Sequence, residues 1–317
     1  PVFLPLGTDT DDDHRERRRP AEMPAAEPAT DPQALLAPML RALARRRPDM
    51  IALLSVPFAP MAVGELPAPA PRWLALGDAE GPLAAALGDA RRHVQLLYPY
   101  LRDGERPLVS ASGLVAGVQA RVAQRFGPWR SVAERALPGQ AMPWPPVSTQ
   151  QAAGWRAAGL SVLLQRGGRL RLDDEALPAP VLPQADLQAM PRAERERADW
   201  HSAEVQRFMG YVRRELQALG ERLLFDVDAT DPRPAEALRS FFARLHEAGA
   251  LRGARPEQAF RVRALPGAGA SAESTLAFEI ELAPAFPIDL IRITFLHDRA
   301  GGTPRISARL GSEAADG

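Results

Sequence analysis

Five histidines, one acidic run and one later carboxylate cluster are the groups in this chain that could do chemistry. The histidines are His14, His93, His201, His246 and His297. Imidazole binds metals and moves protons near neutral pH, but a site needs several such groups at set spacing, as in HExxH on a helix. These five are scattered and none has that spacing. His93 and His297 flank predicted strands and read as surface or edge residues. Asp9, Asp11, Asp12 and Asp13, with His14, could hold a divalent ion through oxygens. The Gly and Glu of an EF-hand loop are missing, and Arg15, Arg17, Arg18 and Arg19 follow at once. The run therefore reads as a solvated loop whose charges pair with each other or with a neighbouring subunit. Asp173, Asp174 and Glu175 follow a predicted strand. Paired carboxylates can do acid–base work, but nothing nearby signals a pocket, and the cluster reads as a surface loop. Ser112–Gly117 (SGLVAG) has neither the GK[ST] ending of a phosphate loop nor the GxGxxG of a dinucleotide fold. Its glycines read as permitting close helix packing. There is no GxSxG elbow and no Cys, which excludes disulfides, thiolate zinc sites and Cys nucleophiles. The sequence thus predicts no catalytic residue, no metal ligand set and no cofactor.

Composition points the same way. The 317 residues carry 39 basic and 39 acidic side chains. That balance gives no global field toward nucleic acid or an anionic membrane. Every basic residue is Arg, whose planar fork suits bidentate carboxylate pairs at interfaces. No apolar run approaches the ~20 residues of a membrane-spanning helix. The chain opens on PVFLPLG, which reads as a start inside a longer chain.

The elements follow from periodicity and punctuation. Residues 1–7 form a short apolar strand, and 8–32 an acidic, then Arg-rich, then Pro-rich linker. Asp31-Pro32 opens a helix to about Arg47, with Pro38 inside it. Ile51–Val56 and Val94–Tyr98 are apolar runs suited to a sheet buried on both faces, and a helix around 80–92 lies between them. Residues 57–72 and 138–147 read as Pro-rich loop. Leu114, Val118, Val122 and Phe126 mark a helix over 111–126, stopped by Gly127-Pro128. A helix over 149–158, a strand Leu160–Leu164 and a turn at Arg166-Gly167-Gly168 follow. An amphipathic helix runs from Asp199 to Leu219, with Gly220 as its C-cap. Leu223–Val227 is a strand, Asp231-Pro232 caps a helix that Gly249 ends, and strands start at Phe260, Leu276 and Ile291. The tail after His297 is Gly-rich and polar, and reads as mobile or waiting for a partner. There is no internal repeat.

Three stretches resemble the contractile tail sheath family. In Val109–Ala133, Ser112, Gly113, Val115, Ala116, Gly117, Ala120 and Arg121 match a segment like P-P-S-G-x-V-A-G-x-x-A-R. Gly127, Trp129 and Ala133 continue in register, with Val132 at a usual Pro. Ala158–Arg169 (AGLSVLLQRGGR) resembles G-I-N-x-I/L-R…G-x-G, without the W-G-A-R-T that follows in the family. Phe208–Val262 carries Arg213-Arg214, Phe225, Phe241-Phe242, Leu245, Gly249-Ala250-Leu251, Gly253, Ala259-Phe260 and Val262 in the family's order. Glu281–Ile293 (ELAPAFPIDLIRI) closes it with Ala283, Pro284, Pro287, Asp289, Ile291 and Arg292. The family's opening G-V-Y-x-x-E arm and variable outer domain are not visible.

The resemblance implies an α/β fold: a parallel or mixed sheet flanked by helices, with an α+β C-terminal part of tail-sheath type. The expected domains are residues 1–32 (N-terminal segment and linker), 33–190 (α/β core) and 191–317 (α+β C-terminal domain with its tail). The implied function is a structural, non-enzymatic subunit, stacked in rings around an inner tube and contracting as rigid bodies. Implied partners are copies of itself, the inner tube protein, and baseplate and tail-terminator proteins, with no nucleic acid and no direct membrane insertion. Assembly is expected in the bacterial cytoplasm, as part of a phage tail or phage tail-like particle. In the family, terminal arms join strands of neighbouring subunits, so Val2, Phe3, Leu4, Ile291, Arg292, Ile293, Asp298 and Arg299 are the expected subunit-interface residues. Two alternatives stay open: a sheath-like baseplate or tail-end adaptor that does not polymerise, and an α/β enzyme using a nucleotide or metal.

Overall fold

The structure is a computed structural model that describes residues 32–59, 66–76, 87–104, 107–178, 201–222, 231–265, 275–286, 290–298 and 304–311. The expected strands at 1–7 and Leu223–Val227 lie outside these residues. The chain divides into two compact units, one of residues 1–46, 52–119 and 132–180, the other of residues 47–51, 120–131 and 181–317.

In the first unit, helix α1 (Pro32–Arg46) contains Pro38 and buries Leu36, Ala37 and Leu40. Strand β1 (Ala52–Ser55) leads through a short helix α2 (Pro71–Leu74) to β2 (Val94–Tyr98), and the two strands pair in parallel, Ala52 opposite Val94. The described end of the expected 80–92 helix is a 3₁₀ turn, Gly88–His93. β3 (Tyr100–Arg102) pairs with β4 (Met142–Trp144), a strand inside the expected 138–147 loop. Helix α3 (Ser112–Phe126) and helix α4 (Thr149–Ala157) follow. At the start of α4, Gln151 N–H donates to Ser148 Oγ (3.2 Å) and Ser148 N–H to Gln151 Oε1 (3.0 Å), so two orphan amides at the helix start are satisfied reciprocally. β5 (Leu160–Arg166) lies parallel to β2 and turns into antiparallel β6 (Arg169–Leu172), which completes the mixed sheet β1-β2-β5-β6. The turn needs two left-handed residues, Gly167 (φ 56°) and Gly168 (φ 72°). All five β2 residues are buried, as expected of a parallel strand covered on both faces. Leu36, Leu40, Trp73, Val94, Leu96, Tyr98, Leu160 and Val162 share one core.

In the second unit, helix α5 (Ala203–Arg222) lays Val205, Phe208, Met209, Val212 and Leu216 on the core. Gly220 does not end it. It lies inside the last turn, where a Cβ would come within 2.4 Å of Pro304 Cγ, so its missing side chain makes room for a neighbour. Asp231 Oδ1 accepts from the Arg233 amide (2.8 Å) at the start of α6 (Arg233–Glu247). Gly249, at φ 73°, takes the chain out of that helix. A single turn, α7 (Pro256–Ala259), then opens an antiparallel meander: β7 (Phe260–Leu265), β8 (Thr275–Leu282), β9 (Leu290–Asp298) and β10 (Arg305–Gly311), in the order β10-β9-β8-β7. β10 corrects the expectation of a mobile tail: residues 305–311 pair with 290–296 along their whole length.

Candidate assembly surface

Period-two alternation decides which residues of the meander face outward. Phe278, Ile280, Ile291, Ile293 and Phe295 point into the core with α5 and α6. The other set forms three cross-strand rows. One runs Arg261, Glu281, Arg292; the next Arg263, Glu279, Thr294, Ser307; the third Leu265, Leu296 and Arg305, with the small Ala277 between them buried by its neighbours. Arg292 is the hub. Its Nη2 donates to Glu281 Oε1 at 2.8 Å, and its Nε stands 3.7 Å from Glu279 Oε1. The Arg292 side chain is 36% exposed, so the pair contributes only ~0–1 kcal/mol and orders the face more than it stabilises it. Among the described residues, β7 and β10 are the two edge strands. Such edges present unpaired amides and carbonyls to an incoming chain, and exposed charges such as Arg261, Arg263 and Arg305 restrict what may pair there.

The residues expected at the interface divide. Val2, Phe3, Leu4 and Arg299 lie outside the described residues. Ile291 and Ile293 are 0% exposed and belong to the core of their own unit, because their parity on β9 is that of Phe295. Arg292, between them, is on the outer face. Asp298 ends β9, opposite Thr275. The edge strand β10 is missed by the sequence reading, although Ile306, Ala308 and Leu310 alternate with Arg305, Ser307 and Arg309.

The groups that could do chemistry also change place. His93 is 1% exposed, so it is a core residue and not a surface one. Glu175 is 0% exposed and Asp173 8%, which overturns the surface-loop reading of that cluster. Asp173 is pinned by two guanidiniums, Arg166 Nη2 at 2.9 Å and Arg156 Nη1 at 3.2 Å, and Arg166 also pairs with Glu134. Glu175 accepts from Gln119 Nε2 (2.9 Å) and from the Val132 amide (2.8 Å). The Gln119 amide also donates to Gln95 Oε1 (2.9 Å), Gln95 Nε2 donates to Ser161 Oγ (2.8 Å), and Ser161 Oγ donates to the Ala176 carbonyl (2.9 Å). This is a chain of satisfied amides and hydroxyls that joins β2, β5, α3 and the segment after β6. Among the described residues no group of three or more His, Cys, Asp or Glu could hold a metal ion, and no helix is long and apolar enough to cross a membrane.

No family model matches the sequence, and no curated protein matches it. Solved structures do. A sheath tail protein from Desulfitobacterium hafniense superposes with a TM-score of 0.57 at 10% identity, over 86% of this chain and 55% of that one. The sheath complex of the extracellular contractile injection system PVC, in its contracted state, gives 0.53 at 17% identity, over 75% and 61%. The baseplate of the anti-feeding prophage gives 0.51 at 19%, over 69% and 62%. This is the fold of tail sheath proteins. The chain spans between 55% and 62% of the length of these three.

Within the sheath fold, the Gly127–Trp129 spacing and the Gly249–Leu251, Ala259 and Ala283–Pro284 stretches are packing devices. Gly127 (φ 96°) is followed by Trp129, whose ring lies where a Cβ on residue 127 would be, 2.3 Å from its nearest atom, so the G-x-W spacing is a steric requirement. Trp129 meets Phe208 edge-on at 6.4 Å and Tyr211 at 6.3 Å. Gly249-Ala250-Leu251, Ala259 and Ala283-Pro284, far apart in sequence, meet through their backbones. Arg252 N–H donates to the Ala283 carbonyl (2.8 Å), Ala283 N–H to Ala259 (2.9 Å), and Ala285 N–H to Ala250 (2.9 Å). Gly113 and Gly117 do not serve close packing, since a Cβ on either meets nothing within 4 Å.

Proposed function

We propose that the chain is a structural subunit of a contractile tail sheath, which polymerises in stacked rings around an inner tube and contracts to drive it through a target envelope. The observation that carries this reading is the two-unit architecture, mixed sheet then helix-backed antiparallel meander, shared over 86% of the chain with a sheath tail protein. The role is non-enzymatic: the solved structures it resembles are sheath proteins, and the buried Glu175 carboxylate is taken up by hydrogen bonds from Gln119 and Val132. The partners are further copies of this chain, an inner tube protein, and baseplate and terminator proteins, in a phage tail or tail-like particle assembled in the bacterial cytoplasm. Arg292 and the β7 and β10 edges are the surfaces offered to neighbouring copies, with Val2–Leu4, Asp298 and Arg299 as the reaching segments. The expected domain division at 32 and 190 is kept as part of this reading. A second reading, a sheath-like baseplate part that does not polymerise, draws on the likeness to a chain of the anti-feeding prophage baseplate. Purification followed by size-exclusion chromatography and negative-stain microscopy tests both. Rings or tubes support the sheath subunit. A monomer that joins a preformed baseplate supports the adaptor, and a monomer that turns over a nucleotide overturns both.

A further inference from the structure

Helix α3 runs on through Gln119 to Phe126, and the chain comes back to the same place at Val132. Both residues are held by one buried carboxylate. Glu175 Oε1 accepts from Gln119 Nε2 at 2.9 Å and Oε2 from the Val132 amide at 2.8 Å, with the Glu175 side chain fully buried. We propose that Glu175 is the positioning residue that ties α3, at Gln119, to the far end of the 120–131 segment, at Val132.

The chemistry of the two partners explains why the residue is an acid. A backbone amide can only donate. At the other end of the chain the Ala176 carbonyl can only accept, so Ser161 donates to it and accepts from Gln95, whose oxygen accepts from the Gln119 amide. That order leaves the Gln119 amide its second proton to give, and it points at Glu175. Position 175 must therefore accept at both side-chain oxygens, which a carboxylate does and a carboxamide cannot. A buried donor without an acceptor is costly, so a glutamine here would release one end of the 120–131 segment while keeping shape and volume.

The experiment is hydrogen exchange by mass spectrometry on the full chain, comparing the natural sequence with Glu175→Gln and Ser161→Ala, together with native-state trypsin cleavage at Arg121, Arg125 and Arg130. Losing a hydrogen bond to a charged acceptor corresponds to roughly a 10- to 100-fold rise in local opening. That rise is expected across 120–132 in Glu175→Gln, with β8 and β9 unchanged. Ser161→Ala cuts the polar chain at its far end and leaves both Glu175 contacts, so exchange at 120–132 stays as in the natural protein. Unchanged exchange at 120–132 in folded Glu175→Gln overturns the proposal. So does an equal rise in Ser161→Ala, or a uniform rise along the chain. Should Glu175→Gln fail to fold, Gln119→Met breaks the same bond from its other side and is held to the same outcomes. None of these readouts depends on whether the chain assembles, so the test stands apart from the sheath reading.

Discussion

Gly210→Ala tests whether the segment 47–51 is held in the second unit by close backbone approach to α5. A Cβ at position 210 would lie 2.5 Å from the Asp49 carbonyl oxygen, 3.1 Å from its carbon and 3.2 Å from Asp49 Cα. All three are backbone atoms, so no side chain can swing aside. Ordinary contact requires a retreat of about 1 Å. Such a retreat stretches Gln206 Nε2 to the Pro48 carbonyl (already 3.4 Å) and Arg214 Nη1 to the Asp49 carbonyl (3.2 Å). Overpacking costs roughly 1–3 kcal/mol and each weakened hydrogen bond about 0.5–1.5 kcal/mol. Against this, Ala is preferred over Gly inside a helix by ~1 kcal/mol. The net expectation is a loss of about 1–5 kcal/mol. Gly117→Ala in α3 is the internal control. Nothing lies within 4 Å of its Cβ, so the helix preference acts alone and stability rises by about 0.5–1 kcal/mol. Urea titrations followed by circular dichroism read both changes as midpoint shifts. Shifts of the same sign, or Gly210→Ala at or above the natural midpoint, refute the reasoning.

Gly159→Ala should cost roughly 2–4 kcal/mol, because residue 159 sits at φ 81° and its Cβ would come within 2.5 Å of Pro178 Cα; a urea midpoint unchanged from the natural one contradicts the packing. Burial pushes the Tyr100 hydroxyl up to about 12. Between pH ~10, where the unfolded residue loses its proton, and that value, the folded state holds a proton the unfolded state has lost, so stability falls as pH rises. The contribution is intact below pH ~10, and roughly 2 kcal/mol of it is gone by pH ~12; alkaline melting of Tyr100→Phe, which lacks the group, should show a flatter decline. Ending the chain after Pro304 removes β10 and uncovers β9, and loses the packing of the partly buried Ile306 and Ala308, on the order of 1 kcal/mol each or less. The truncated protein should melt earlier and self-associate through β9, visible by light scattering.

Most of the fold is legible because its elements carry strong periodicity. The four apolar residues of β2, the α5 stripe and the alternation Leu276, Phe278, Ile280, Leu282 each allow one reading. The errors occur where local signals compete with tertiary ones. Gly220 lies near a helix end and has the composition of a cap, yet its place is dictated by Pro304, more than 80 residues away. β10 has the right alternation, but the Gly, Pro and Arg around it carry the composition of a loop. β4 is shorter still, three residues with Pro143 at its centre, and takes its identity from pairing with β3.

The candidate surface is legible in one register and not in the next. Ile291, Arg292 and Ile293 are adjacent in sequence, and nothing local says which of them faces out. Parity on β9 decides it. Once Phe295 is inside, Ile293 and Ile291 must be inside too, and Arg292 must be out. The same argument separates Glu279 and Glu281 from Ile280. The Asp173–Glu175 cluster has no such periodic neighbour to read against. Three consecutive acids at a strand end have the composition of solvent-facing loop, and charge alone makes burial the costlier choice. What reverses that choice is the set of partners: two guanidiniums for Asp173, and the Gln119 side chain and Val132 amide for Glu175, which are 43 or more residues from Glu175 in sequence. A buried carboxylate is identified by its donors, and here they come from α3 and the segment after it for Glu175, and from α4 and the β5–β6 turn for Asp173.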